Sequence, residues 1–188
     1  MLRLSSMLAG AAALGLALAA QAQDAIPGPQ VGDTFPHDLA APDQHGKDQS
    51  IDALMGAKGL MVFFVRSADW CPYCQRQLAD VNGRLAEFEA LGLGVASVSV
   101  DDISETAAFS KERGIAYPML ADPAGDINLA LGVRDEQYPV GHNAFGVPRP
   151  VLYILDTSKT IRALYMEPTY RTRPDLNVVL ADAAKLGL

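Results

Sequence analysis

The chain has 188 residues, of which 22 are acidic and 15 are basic, giving a formal net charge of −7 at pH 7. The basic residues form no cluster, and an acidic chain without one argues against nucleic acid or an anionic membrane surface as a partner. Cysteine occurs only twice. Two cysteines are too few for a disulfide scaffold, so the fold must be stabilised by an ordinary apolar core.

The N-terminus is typical of a secretory signal peptide. One positive charge, Arg3, precedes a short run of small apolar residues that ends in the cleavage pattern Ala20-Gln21-Ala22. An uncleaved anchor helix is the alternative, but it would need about 20 strongly apolar residues. We expect a periplasmic or secreted protein with no stable membrane span after cleavage. Three segments are predicted: a signal peptide at 1–22, a flexible lead-in at 23–30 and one folded domain at 31–188.

Within that domain, predicted strands and helices alternate. The continuously apolar run 59–65 is typical of a central strand buried on both faces. The next segment, up to Leu91, has apolar residues every three to four positions, the pattern of an amphipathic helix. Gly83 inside it predicts a kink or close packing.

Shorter elements are predicted on either side of this strand and helix. They are a hairpin with its turn at 43–47, a helical turn at 51–55, a strand at 95–100, a helix from a capping box at 102–105 to Gly114, a strand at 117–120, a helix at 127–131, a loop at 132–150, a strand pair at 151–155 and 161–166, and a last helix opened by Pro174. This order predicts an α/β fold with a mixed sheet.

Both cysteines lie in Trp70-Cys71-Pro72-Tyr73-Cys74, where the buried strand gives way to the amphipathic helix. A helix N-terminus favours an anion, and the pKa of a thiol falls in such Cys-x-x-Cys motifs. Pro72 suits an early helical position, because its missing N–H is not needed there. We predict that Cys71 is the attacking thiolate and that Cys74 resolves the mixed disulfide. A purely structural bridge is disfavoured, since so small a loop removes little entropy from the unfolded chain.

This strand, dithiol turn and helix resemble the thioredoxin superfamily, and the resemblance covers essentially the whole domain. The stretches 31–33, 43–47 and 146–156 resemble the redoxin branch, which holds the alkyl hydroperoxide reductase/thiol-specific antioxidant proteins and periplasmic thioredoxin-like proteins. The resemblance implies a thioredoxin-like fold, with a mixed central sheet flanked by helices, around a redox-active centre. It also implies that Pro150 matches the cis-proline that faces the dithiol in thioredoxins.

Three neighbours of the cysteines and of Pro150 are predicted to support the site. By the same resemblance, Trp70 covers the dithiol, the alternative being simple packing. Tyr73 lies between the cysteines, either as part of the site or as an exposed aromatic. Arg149 is placed near the sulfurs, where a cation favours the thiolate and makes the disulfide more oxidising. The alternative for Arg149 is a surface ion pair.

The resemblance to peroxiredoxins is incomplete. These enzymes carry a proline and a threonine or serine seven and three residues before the peroxidatic cysteine. With Cys71 in that role, the two positions hold Phe64 and Ala68. Arg149 and Arg66 are the candidates for the peroxiredoxin arginine. The leading hypothesis is therefore an exported thiol–disulfide oxidoreductase, with a thiol peroxidase as the alternative.

A second alternative is a metallochaperone that binds copper(I) through Cys71, Cys74 and His142. Copper-delivering redoxin relatives space their cysteines four apart, so the spacing here weakens this match. The leading hypothesis needs no dissociable cofactor and no resident metal. It needs a protein or small-molecule thiol or disulfide as substrate and a redox partner that recycles the dithiol. The direction of disulfide exchange is left open by the sequence.

Overall fold

The computed structural model describes residues 26–188 and shows a mixed five-stranded sheet with helices on both faces. The predicted signal peptide, residues 1–22, lies outside the described residues. Within the described part of the chain, no helix combines the length and apolar character that a membrane span requires. The predicted α/β class and thioredoxin-like arrangement are confirmed.

The elements follow the predicted order closely. The strands are β1 (Ala41–Pro42), β2 (Asp48–Gln49), β3 (Gly59–Phe64), β4 (Leu93–Ser99), β5 (Met119–Ala121), β6 (Val151–Asp156) and β7 (Ile161–Met166). The helices are α1 (Ile51–Leu54), α2 (Pro72–Gly83), α3 (Leu85–Ala90), α4 (Ile103–Arg113), α5 (Asp126–Ala130) and α6 (Leu176–Lys185).

Strand β3 is the centre of the fold. The sheet order is β5-β4-β3-β6-β7, and β3 pairs in parallel with β4 and antiparallel with β6. All six of its residues are buried. Alternate side chains of β3 enter two separate apolar clusters, with Met61 and Phe63 on the face of α2, α3, α4 and α6, and Val62 and Phe64 on the face of α1 and α5. The continuous apolar run is explained by this burial on both faces.

The predicted kink at Gly83 is a break between two helices. Helix α2 ends at Gly83, and Arg84 leaves the helical region with φ −118° and ψ 11° before α3 begins. A Cβ at Gly83 would meet no atom within 4 Å, so close packing is not the reason for the glycine. The last helix begins at Leu176 rather than at Pro174, because the Asp175 side chain caps it by accepting from the N–H of Asn177.

A buried glutamine side chain completes one edge of the sheet. Gln44 lies in the turn of the β1–β2 hairpin, and only 4% of its surface is exposed. Its Nε2 donates to the carbonyl of Tyr117 at 3.0 Å, and its Oε1 accepts from the N–H of Met119 at 2.8 Å. The side-chain amide therefore takes the place of a neighbouring strand beside β5.

We predict that Gln44→Ala lowers the free energy of unfolding by about 2 kcal/mol, because two backbone groups at the β5 edge lose their partner. Urea denaturation measures the change. The matched control is Asp48→Ala in the same hairpin, whose exposed side chain makes its replacement worth less than about 0.5 kcal/mol. Equal stabilities of the two variants would show that the amide does not support the edge.

A buried carboxylate follows β5. The Asp122 carboxylate accepts from the N–H groups of Asp126, Ile127 and Asn128 at 2.9, 3.2 and 3.3 Å. Burial outweighs these hydrogen bonds and raises the pKa of Asp122 to about 6. Between pH 4 and 6, Asp122 therefore keeps its proton in the native protein. In the unfolded chain, where its pKa has the ordinary value of 3.8, Asp122 has already lost this proton.

Stability is therefore expected to fall as the pH rises from 4 to 6, with Asp122 contributing up to about 2 kcal/mol to that fall. Asp122→Asn removes the titrating group and keeps a side-chain acceptor for the helix N–H groups. We predict that the stability of the variant changes less with pH across this window than that of the wild type. Denaturant unfolding at pH 4 and 6.5 checks the prediction, and parallel pH profiles of the two proteins would contradict it.

Candidate active site

The two cysteines lie at the N-terminus of α2 and are joined in a disulfide, with their Cα atoms 5.2 Å apart. Cys71 is the N-cap residue of the helix, and its Sγ accepts from the N–H of Cys74 at 3.3 Å. Pro72 is the first helical residue, as the sequence predicts. Both cysteines are almost fully buried, with 2% and 0% of their surfaces exposed. The site is therefore a closed redox pair at a helix N-terminus.

A buried aspartate holds the loop that leads into Cys71. Asp101 follows β4, and its carboxylate accepts from the hydroxyl groups of Ser67 and Ser99 at 2.6 and 2.8 Å. The Ser67 oxygen in turn accepts from the N–H groups of Asp69 and Trp70 at 2.9 and 3.1 Å. Asp101 and Ser67 therefore position the approach to the dithiol.

Sequence reasoning missed both of these residues, although a signal was present. Ser67 follows β3 and Asp101 follows β4, and these two strands pair in parallel. The carboxyl ends of parallel neighbours lie at one edge of the sheet, and this edge is where loops carry functional groups.

The arginine that contacts a sulfur is Arg173, which lies between β7 and α6. Its Nη2 lies 3.2 Å from Sγ of Cys74, and its Nε donates to Oε1 of Gln77. Its Nη1 donates to the carbonyls of Tyr170 and Thr172 at 2.7 and 2.6 Å. Burial, together with the charge of Arg66, lowers the pKa of Arg173 to about 10, so the guanidinium remains charged at pH 7.

A second arginine, Arg66, is enclosed by aromatic rings. Its guanidinium carbon lies 5.2, 5.1 and 4.4 Å from the ring centroids of Trp70, Tyr138 and Tyr170, and only 6% of its surface is exposed. Such cation–π contacts stabilise a desolvated guanidinium without neutralising it. In the described part of the chain, neither Arg66 nor Arg173 pairs with a carboxylate.

The other predicted supporting residues occupy two places. Trp70 is 43% exposed and lies beside Cys71, and Tyr73 packs edge-to-face on Tyr170 with 6.1 Å between the ring centroids. Arg149 and Pro150 line a cleft of about 680 Å³ that Tyr170 also borders. The functional roles of these residues stay predictions.

The predicted cis peptide bond before Pro150 is wrong, because residues 26–188 contain no cis peptide. The neighbouring backbone is fixed by ordinary pairing: Pro148 bridges to Arg134, and the N–H of Arg149 donates to the carbonyl of Val133 at 2.8 Å. A trans bond is the lower-energy form unless the surroundings impose the other. The cis assignment came from the thioredoxin resemblance, and the local contacts do not impose it.

The copper alternative receives no support from the geometry. Within residues 26–188, no three histidine, cysteine, aspartate or glutamate side chains converge as metal ligands, so Cys71, Cys74 and His142 do not form a joint site. Nδ1 of His142 instead accepts from the N–H of Ala144 at 3.0 Å, and the ring packs against Tyr138.

Comparison with known proteins agrees with the fold and with the cysteine chemistry. The sequence model of the AhpC/TSA family matches residues 31–164. A Mycobacterium tuberculosis relative assigned to the peroxiredoxins is 28% identical over 134 residues, which cover 71% of this chain and 83% of the relative. The 1-Cys peroxiredoxin PER1 of Hordeum vulgare is 27% identical over 164 residues, covering 83% and 72% of the two chains.

Solved structures show the same fold. The peroxidoxin BcpB of Mycobacterium tuberculosis superposes with a TM-score of 0.70 at 22% identity, covering 83% of this chain and 97% of the other. A cysteine-to-serine mutant of the peroxiredoxin 6 of Arenicola marina gives 0.73 at 18% identity, covering 85% and 74%. The resemblance to the redoxin branch is confirmed.

We predict that Arg173→Gln lowers the reduction potential of the Cys71–Cys74 pair, because the guanidinium stabilises the thiolate of the reduced form. Loss of a cation within hydrogen-bond distance changes the equilibrium constant by about tenfold or more, which is about 30 mV for a two-electron couple. Equilibration in thiol–disulfide buffers measures the potential.

The matched control is Arg76→Gln, which removes an exposed guanidinium from the same helix end, where Arg76 lies over the Tyr73 ring. Its charge is screened by solvent, so its potential should stay within a few millivolts of the wild type. A potential of Arg173→Gln equal to that of this control would show that the contact with Cys74 does not tune the pair.

Proposed function

Because the chain belongs to the AhpC/TSA family and carries a disulfide at a helix N-terminus, we propose that it is an exported thiol–disulfide oxidoreductase. The observation that carries the proposal is the bonded Cys71–Cys74 pair with Arg173 against one of its sulfurs. The family and its peroxiredoxin relatives support thiol-based oxidoreductase chemistry. Exchange with disulfides is the specific activity proposed here, and export rests on the signal-peptide pattern at 1–22.

The proposed cycle uses both cysteines. In the reducing direction, a thiolate of the pair attacks one sulfur of the substrate disulfide, a mixed disulfide forms, and the first substrate thiolate leaves and takes up a proton. The second cysteine then attacks the mixed disulfide, the Cys71–Cys74 bond forms, and the second substrate thiol leaves. Two electrons pass to the substrate, so a dithiol redox partner must supply two electrons to the pair. The oxidising direction runs through the same steps in reverse.

Each sulfur has its own source of anion stabilisation. Cys71 accepts the N–H of Cys74 at the positive end of α2, and Cys74 receives the guanidinium of Arg173. We assign the attack to Cys71, the more exposed of the two. When an external thiolate attacks Cys71 of the disulfide, Cys74 leaves as a thiolate beside Arg173, and a stabilised thiolate leaves faster. The positive charge of Arg173 therefore favours reduction of the disulfide.

Hydroperoxide reduction is the second candidate, and the peroxiredoxin relatives favour it. One cysteine would take the terminal oxygen of the peroxide and become a sulfenic acid, an alcohol would leave, and the second thiol would condense to the disulfide with release of water. With Cys74 in the peroxidatic role, the signature positions seven and three residues before it hold Ser67 and Cys71, so the proline and the hydroxyl residue are again both missing. The Ser67 hydroxyl is already engaged with Asp101.

The test mixes reduced protein, freed of reductant, with the neutral disulfide bis(2-hydroxyethyl) disulfide and follows formation of the Cys71–Cys74 bond by mass. We predict that the wild type is oxidised, that Cys71→Ser slows the loss of substrate disulfide by about 100-fold or more, and that Cys74→Ser accumulates the mixed disulfide on Cys71. Equal inertness of wild type and Cys71→Ser would refute disulfide exchange. Faster oxidation by a hydroperoxide, through a sulfenic acid, would establish the peroxidase instead.

A further inference from the structure

Two desolvated cations beside the disulfide, the buried Arg66 and the half-buried Arg173, have no counter-ion in residues 26–188. The Nε of Arg66 is buried without a hydrogen-bond partner. Arg173 donates to neutral oxygen acceptors, to Gln77, Tyr170 and Thr172, and to the Cys74 sulfur. The two charges repel each other, and a disulfide supplies no negative charge to balance them. Burial of unbalanced charge is costly, so an anion bound there would be strongly favoured.

The surroundings of Arg66 leave its Nε without a hydrogen-bond acceptor. The rings of Trp70, Tyr138 and Tyr170 lie around the guanidinium at cation–π distances and form an apolar collar. The N–H groups of a guanidinium lie in its plane, in the fork that matches the two oxygens of a carboxylate. The collar therefore surrounds the cation and leaves the Nε donor without an acceptor.

The position of this collar relates it to the redox pair. Trp70 directly precedes Cys71, and Tyr170 supplies its carbonyl to Arg173, which contacts Cys74. Tyr170 also borders the cleft of about 680 Å³, a size typical of small-molecule sites. Tyr170 is therefore the residue that the cleft, the Arg66 collar and the contact of Arg173 have in common.

We propose that Arg66 and Arg173 form an anion subsite and that the thiol or disulfide substrate is a small molecule carrying a carboxylate a few bonds from its sulfur. The proposal rests on the proposed disulfide exchange and specifies its substrate class. The carboxylate binds the fork of Arg66, and the substrate sulfur meets Cys71. The redox step itself is the balanced exchange given above, so no further reactant is needed.

Binding is tested on the oxidised protein without any turnover. Trp70 is the only tryptophan of the chain, so its fluorescence reports directly on the Arg66 collar. The probe is 3,3′-thiodipropionate, a thioether dicarboxylate that cannot exchange, and its neutral counterpart is bis(2-hydroxyethyl) sulfide. We expect a saturable change with the dicarboxylate, binding at least about tenfold weaker for the neutral probe, and a loss of affinity on addition of salt.

Variants assign this binding to Arg66. Arg66→Gln should weaken the dicarboxylate at least about tenfold, and Arg66→Lys, which keeps the charge but not the fork, should fall between it and the wild type. The matched control is Arg113→Gln, at the C-terminus of α4 and thus at the opposite end of the sheet, which should bind as the wild type does. Equal binding of the two probes by the wild type overturns the proposal even if Arg66→Gln does not fold. An unchanged affinity in a folded Arg66→Gln overturns it as well.

Reaction rates distinguish the anion subsite from the proposed disulfide exchange on which it rests. Reduced protein is oxidised with 3,3′-dithiodipropionate or with bis(2-hydroxyethyl) disulfide, and the ratio of the two second-order rate constants is compared between wild type and Arg66→Gln. We expect the ratio to fall about tenfold in the variant, because any effect of Arg66 on the thiolates cancels between substrates. An unchanged ratio with active protein overturns the subsite alone. Inactivity of the wild type toward both disulfides, with dicarboxylate binding intact, overturns only the proposed exchange reaction.

Discussion

The buried carboxylate of Asp101 is the interaction on which the site depends. It joins the ends of β3 and β4 through the hydroxyl of Ser67, and Ser67 fixes the backbone of Asp69 and Trp70 just before the dithiol. A carboxylate buried at 2% exposure is tolerable only when strong donors surround it, and the two serine hydroxyls and a backbone N–H meet that need. The parallel pairing of β3 with β4 therefore contributes to the core and also fixes the position of Cys71.

The second feature of the site is an excess of positive charge around the disulfide. Helix α2 directs its positive end at Cys71, Arg173 contacts Cys74, and Arg66 adds a second desolvated cation within the described residues. The reduced pair can carry a negatively charged thiolate next to these positive charges, whereas the disulfide is neutral. These positive charges therefore stabilise the thiolate of the reduced pair and raise its reduction potential. An anionic reactant would relieve the imbalance in the oxidised form, which links substrate charge to redox state.

The parts of the fold that depend on local sequence were predictable. The continuous apolar run located β3, the three-to-four-residue spacing of apolar residues located α2, and the capping box of Asp102 with Glu105 located the start of α4. Arg173 was not predictable in this way, because 99 residues separate it from Cys74 and only the packing of the last loop brings them together. The cis bond at Pro150 failed for a different reason: a family likeness suggested it, while the bond's own neighbours are satisfied with a trans peptide.

The positions of Cys71 and Cys74 in α2 also determine how far the two cysteines must move during the proposed cycle. Cys71 caps α2 and Cys74 lies in its first turn, so the bond closes while the helix remains intact. A peroxiredoxin signature would place a hydroxyl three residues before the reacting cysteine, and here Cys71 stands at that position relative to Cys74. If Cys74 took the peroxidatic role, its partner sulfur would therefore stand where peroxiredoxins place the hydroxyl. Both sulfurs belong to a buried core cluster, and only 2% of the Cys71 surface is exposed. This burial fits the small substrate proposed above better than a large protein surface.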